Sequence, residues 1–162
     1  MKKMAVLTVS LLFSGIVNAS DCFDLAGRDY KIDPDLLRAI AWNESRFNMS
    51  AIGTNKDGSI DMSLMQINSQ HIPKLAAMGI SRKTLMTDAC MNIYTGAYFL
   101  AVAFNKWGIG WHAVGAYNAG FKESEKQAQR RYTYAKKIEA TYRAIKESKK
   151  NFNLQNNQNR RD

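Results

Sequence analysis

Two acids seventeen residues apart, Glu44 and Asp61, are the side chains whose placement points most directly to chemistry. Leu36, Leu37, Ile40 and Ala41 recur at i, i+1, i+4 and i+5, which is one apolar helix face, and Glu44 is the next member of that stripe. An acid there is drawn out of water near the C-terminal end of its helix, where the macrodipole disfavours negative charge. Both effects favour the neutral form and raise the pKa. A carboxylic acid that stays protonated near neutral pH can protonate a leaving oxygen. The same pattern also fits a glutamate that simply ends its helix and turns to solvent. Asp61 lies in the polar run GSIDMSLMQIN, among Ser59, Ser63 and Asn68, a hydrogen-bonding setting that keeps a carboxylate ionised. It fits equally a turn aspartate or the N-cap of a helix beginning MSLMQ. One protonated and one ionised acid across a cleft is the arrangement that cleaves glycosidic bonds.

Other polar residues cluster near these acids in the sequence. Gln66 and Asn68 interrupt the apolar run of Leu64, Met65 and Ile67, where amides either meet sugar hydroxyls or satisfy buried backbone. Tyr117-Asn118-Ala119-Gly120 closes a helix, with Asn118 and Gly120 as natural C-terminal caps. Tyr117 is expected to aim its hydroxyl at Glu44 or to pack in the core. Trp42, Trp107 and Trp111 are candidates for stacking on sugar faces or for the core. His71 and His112 lack ligand spacing, so no metal site is expected, and no nucleotide or cofactor fingerprint is present. No cofactor is therefore expected.

The elements that must position these residues read as a string of helices. MKKM followed by AVLTVSLLFSGIVNA has the basic and apolar regions of a secretory signal peptide, residues 1–19, with cleavage after Ala19. Asp21 before Cys22 argues against a lipoprotein anchor. Helices are expected over Cys22–Tyr30, from the Asp33-Pro34 start to about Ser45, over Asp88–Lys106, over Trp111–Tyr117, and from Glu123 to about Ser148. KDGS predicts a turn or small hairpin within residues 52–62. LMQINSQHIPKLAAMG is expected to be helical in two pieces broken near Pro73, and Ser81 to cap a short helix. The domain spans residues 20–148, and the Asn/Gln-rich residues 149–162 read as a disordered tail.

Cys22 and Cys90 are an isolated pair in an exported chain and most simply form one disulfide, the alternative being two buried thiols. Formal charge is +9; without Lys2 and Lys3 the balance is 21 basic to 14 acidic residues, a net +7. Such a protein suits an anionic polymer. Nucleic acid is not expected, because the basic residues of the last helix, Arg131 among them, alternate with acids as on a solvated face.

ESRFN, DMSLMQIN and AYNAG, in that order, resemble the lysozyme-like lytic transglycosylases of Gram-negative bacteria. The resemblance runs from about Cys22 to Tyr142. Its nearest members are small periplasmic enzymes encoded with type III and type IV secretion, conjugation and pilus systems, above all the invasion-associated ones of type III secretion. It implies a mainly α, lysozyme-like fold with a cleft for peptidoglycan strands, periplasmic and monomeric, with no membrane anchor and with a secretion-apparatus component as a further partner. On that model Glu44 is the acid that opens the bond between N-acetylmuramic acid and N-acetylglucosamine, then the base that closes a 1,6-anhydro ring. Ser45, Met65, Gln66, Asn68, Tyr117 and Asn118 are the implied substrate contacts. Ser63 departs from the family's glycine, which matters if φ there is positive. Asp61 stands at a lysozyme-like second-acid position that many members lack. A hydrolytic muramidase and a non-catalytic wall-binding assembly factor are the alternatives.

Overall fold

Asp33 and Pro34 start the helix that carries Glu44. The Asp33 carboxylate accepts from the Asp35 N–H at 2.9 Å, and proline occupies the first turn, where its missing N–H costs nothing. The helix ends at Ser45 because Arg46 turns left-handed, φ 56°, and returns its N–H to the Trp42 carbonyl. The computed structural model describes residues 19–160, so the leader expected over residues 1–19 lies almost wholly outside the described residues. Seven α-helices are described: α1 Ala19–Tyr30, α2 Pro34–Ser45, α3 Ile72–Ala76, α4 Arg82–Thr87, α5 Ala89–Trp107, α6 Trp111–Ala119 and α7 Glu125–Gln158. Between α2 and α3 three short strands, β1 Ile52–Thr54, β2 Ile60–Met62 and β3 Ile67–Asn68, form an antiparallel sheet in sequence order. The fold is thus mainly α with a small hairpin region, as expected.

α5 is the central helix. Ile93, Ala97 and Leu100 on it are buried with Leu37 and Ile40 of α2, Met62, Met65, Leu75, Leu85 and Ile138. Cys22 of α1 is bonded to Cys90 of α5, tying the start of the described chain to the core. α6 and α7 approach closely because Gly115 has no side chain: a Cβ there would lie 2.4 Å from the Arg131 carbonyl oxygen. α7 lies along α2 in the opposite direction. Tyr134 meets Glu44, Thr141 meets Asn43, Tyr142 and Lys146 meet Asp33, and Lys149 meets Asp35.

Three expectations are corrected here. Residues 64–79 are not two helices broken at Pro73: Leu64–Gln66 is a turn, Ile67–Asn68 a strand, and Ser69–His71 a 3₁₀ turn. Positive φ at Ser63 and Gln66 stops a helix from forming, and Pro73 begins α3 rather than ending one. The helix expected to stop near Ser148 runs on to Gln158, so residues 149–158 are helical. No glycine or proline interrupts it, and its Lys, Gln and Leu residues are good helix formers. Arg131 is not on a solvated face. It is 4% exposed, donates to the carbonyls of Gly120 and Lys122, and lies over the Trp107 ring.

From Lys150 onward the helix is exposed throughout. Deleting residues 151–162 is expected to move the melting temperature by less than about 2 °C, measured by circular dichroism on the otherwise intact chain. A larger fall would mean that the exposed end of α7 supports the body.

Candidate functional site

Glu44 sits in the last turn of α2, under the face of α7. The Tyr134 hydroxyl donates to Glu44 Oε1 at 2.5 Å. Burial pushes the Glu44 carboxyl above the ordinary carboxylate range; the nearby charge of Asp61 adds to this, while the Tyr134 hydrogen bond and Lys137 oppose it. The reading of Glu44 as an acid facing solvent is therefore not what the fold adopts. A cleft of about 430 Å³ opens beside it, with Asn43, Asn118, Arg130, Thr133 and Lys137 among its walls. No described residue donates a hydrogen bond to Oε2, and Glu44 lines that cleft. A second hollow, about 270 Å³ and walled by Leu36, Phe104, Ile109 and Trp111, offers no free acid, because its Asp33 is held by Tyr142 and Lys146.

Asp61, the second acid, lies on β2 opposite Gly53 and Asn68. Its Oδ2 accepts from the Asn55 amide at 2.9 Å and its Oδ1 from the Asn68 amide at 2.8 Å. The same two amides donate to Ser59 Oγ at 3.1 Å, and Ser59 Oγ donates to Asp57 at 2.7 Å. Asp61 is thus the hub of a polar ring within its own hairpin, in a hydrogen-bonded setting as the sequence predicts.

The turn between β2 and β3 is held from outside by side chains of three helices. Ser45 Oγ on α2 lies 2.8 Å from the Leu64 carbonyl. Tyr117 on α6 donates to the Met65 carbonyl at 2.8 Å. Asn92 on α5, fully buried, accepts from the Met65 N–H and donates to the carbonyls of Met62 and Leu85. Gln66 spends its amide N–H groups on the carbonyls of Ala51 and Ser63. Ser63 has φ 63° and Gln66 φ 49°, left-handed conformations that cost roughly 1–2 kcal/mol for a residue with a side chain. The serine at the family's glycine position therefore does occupy strained backbone. It is wholly buried, donating its N–H to the Ala51 carbonyl and its hydroxyl to Met49 Sδ.

Several predicted site residues thus stand apart from their expected places. Tyr117 does not donate to Glu44; its ring stacks on that of Tyr134, and Tyr134 supplies the hydrogen bond. Met65 does not face the cleft. Its side chain is 0% exposed and lies against α5 at Gly96, where a Cβ would come within 2.6 Å of it. The polar atoms of Asn68 hold the hairpin and cap the 3₁₀ turn. Ser45 and Gln66 serve the turn, whereas Asn118 is exposed on the cleft wall. Tyr134 and Asn92 belong to no motif that marks them in the sequence as site residues. Tyr134 shares the apolar side of α7 with Ile138, where a buried phenol needs an acceptor, but which acceptor depends on how α7 crosses α2.

Comparisons with known proteins place the chain among known relatives. A family model described as "Transglycosylase SLT domain" matches residues 21–140. An "X polypeptide" of Escherichia coli is 57% identical over 149 residues, 92% of this chain and 88% of that one. "Invasion protein IagB" of Salmonella typhi is 47% identical over 128 residues, 79% of each chain. "Protein IpgF" of Shigella flexneri is 42% identical over 144 residues, 88% of this chain and 93% of that one. Among solved structures, an inactive E503Q mutant of the lytic transglycosylase Slt from Pseudomonas aeruginosa superposes with a TM-score of 0.60 at 21% identity. It covers 81% of this chain, which spans only 24% of that larger protein.

Two outcomes test the site as a physical object. A Glu44 pKa raised in the folded state means that the fold binds a proton more tightly than the unfolded chain. That stability is fully present below the unfolded carboxyl pKa and is lost as pH rises through the folded one. Glu44→Gln is therefore expected to melt roughly 2–5 °C above the parent at pH 7 and level with it below about pH 4. Asn92→Leu removes the partner of the buried Met65 N–H and one hydrogen bond from each of the Met62 and Leu85 carbonyls, and is expected to lose about 2–4 kcal/mol in urea unfolding.

Proposed function

The chain belongs to the transglycosylase SLT domain family and is an enzyme, a peptidoglycan lytic transglycosylase; we propose that Glu44 serves it first as acid and then as base. In this reading the neutral Glu44 carboxyl gives its proton to the β-1,4 oxygen between N-acetylmuramic acid and N-acetylglucosamine. The bond from that oxygen to the muramic C1 breaks. The carboxylate so formed takes the proton of the muramic C6 hydroxyl, whose oxygen closes on C1. The proton returns to Glu44, no water is consumed, and the strand ends in a 1,6-anhydromuramic unit.

The observation that carries this reading is the half-occupied, buried Glu44 carboxyl. Burial raises the pKa of the acid, Tyr134 engages one oxygen, and the residue lines the cleft. Because the phenol donates, its bond strengthens as Glu44 becomes negative, which steadies the carboxylate that must act as base. Asp61 suits electrostatic support of the developing positive charge at C1. Asn55 and Asn68, each donating to one of its oxygens, fix its orientation.

Among the described residues no helix is long and apolar enough to cross a membrane. We read the enzyme as a periplasmic monomer, exported by residues 1–19, that opens the wall locally for a secretion or transfer apparatus. Similarity to a protein named for invasion supports that setting, and the exposed end of α7 is the segment we assign to contact with such an apparatus.

Residues 20–162 incubated with purified peptidoglycan are expected to release muropeptides lighter by one water than hydrolytic products, read by mass spectrometry. Glu44→Gln is expected to release none, and Asp61→Asn to slow release by roughly 10–100-fold. Tyr134→Phe is expected to lower kcat by about tenfold or more and to shift the pH profile upward, since removing the phenol removes an influence that holds the Glu44 pKa down. Reducing-end products from the parent chain would instead identify a muramidase.

A further inference from the structure

Arg130, Tyr134 and Lys137 fall at i, i+4 and i+7 of α7, one stripe of that helix. All three line the cleft beside Glu44. Tyr134 is hydrogen-bonded to the acid; Arg130 and Lys137 flank it along the helix, and Lys137 acts on Glu44 only through its charge. Elsewhere on α7, Lys136 and Arg143 pair with Glu139, Lys146 with Asp33 and Lys149 with Asp35; Arg131 donates to the Gly120 and Lys122 carbonyls, and Lys126 and Lys150 do not line the cleft. Arg130 donates only to the Gln127 side-chain oxygen at 3.3 Å, and among the described residues neither Arg130 nor Lys137 forms an ion pair. Both are exposed, so their heads are open to a ligand in the cleft.

Two cations a helical turn to either side of Tyr134 cannot recognise a neutral chain of amino sugars by charge. They suit one that carries carboxylates at every second sugar. The muramoyl unit does so in either of two ways: through a free lactyl carboxylate, or through the carboxylates of a peptide attached to it. Arginine presents a fork that matches a carboxylate, and lysine a compact point charge. We propose that Arg130 and Lys137 are an anion-binding pair that recognises the carboxylate-bearing muramoyl unit and seats it against Glu44. The proposal rests on the cleft being the glycan site. It adds a selection by charge, exerted from α7, to whatever the hydrogen-bonding groups Asn43, Asn118 and Thr133 contribute.

Binding of the inactivated full chain tests it without any dependence on turnover. Glu44→Gln and the triple variant Glu44→Gln/Arg130→Gln/Lys137→Gln are titrated with three ligands: peptide-bearing glycan strands, strands stripped of peptide so that lactyl carboxylates are free, and neutral chitohexaose. Melting temperatures compared first confirm that both variants are folded. The expected result is a loss of about tenfold or more in affinity for at least one carboxylate-bearing ligand in the triple variant, with chitohexaose unchanged. The salt dependence of the affected binding is expected to weaken with it. Loss on peptide-bearing strands alone assigns the pair to the peptide; loss on stripped strands alone assigns it to the lactyl group. Equal affinity of the two variants for both anionic ligands, or an equal loss on all three ligands, would overturn the pair. If the Glu44→Gln chain binds none of the three, the glycan reading of the cleft fails and the pair with it. If the binding difference holds while the parent chain releases no products from peptidoglycan, the pair stands and the reaction assignment falls.

Discussion

A carboxyl group removed from water at the negative end of a helix is the constraint around which this molecule is arranged. Left alone, Glu44 would either turn outward or destabilise α2. α7 prevents the first by covering it, and Tyr134 offsets the second by donating to it. Where Tyr134 falls is set by the register of α7 against α2, and polar contacts fix that register at the far end. Tyr142 and Lys146 hold Asp33, the N-cap of α2, and Lys149 holds Asp35 in its first turn. Exposed ion pairs contribute little stability individually. Here their role is positional, since a helix pinned at Asp33 and Asp35 and again at Asn43 cannot slide past Glu44.

The second wall of the site solves a different problem. A turn with left-handed backbone at Ser63 and Gln66 leaves carbonyl and N–H groups that no strand or helix can pair. Ser45, Asn92 and Tyr117, from three helices, reach in to satisfy them. The turn is thus fastened to the helical body, and the helix bearing Glu44 is one of the elements it is fastened to. Residues adjacent to the acid in sequence, or carried over from a family motif as substrate contacts, turn out to be occupied in holding the frame. The groups left open to the cleft come largely from α7 and the end of α6.

This division explains the distribution of charge. Acids at the start of α2 form ion pairs with bases late in α7, whereas Arg130 and Lys137, beside the cleft, form no ion pair among the described residues. The family match ends at residue 140, yet the contacts that set the register of α7 continue to Lys149. The helix therefore serves the site from both sides of that boundary: Tyr134 within it, and the grip on α2 beyond it.

Glu44 on an apolar stripe, Asp61 in a polar hairpin, the Asp33-Pro34 helix start, the Ser81 cap and the Cys22–Cys90 pair were all legible from residue type and spacing. Each depends on interactions within a few residues, or, for the cysteines, on there being one possible pair. Past Ser148 the polar composition points to disorder, yet it holds no residue that must end a helix. At 63–66 the apolar spacing points to a helix and conceals two left-handed residues that only tertiary hydrogen bonds make tolerable. Tyr117 and Tyr134 are both buried phenols whose acceptors lie far away in the chain, 52 residues for one and 90 for the other. Residue type and helical period determine that such a phenol is buried and needs an acceptor. Which one it finds is decided only when α6 and α7 pack against α2 and the turn, because that distance is closed by the crossing of helices and not by any local spacing.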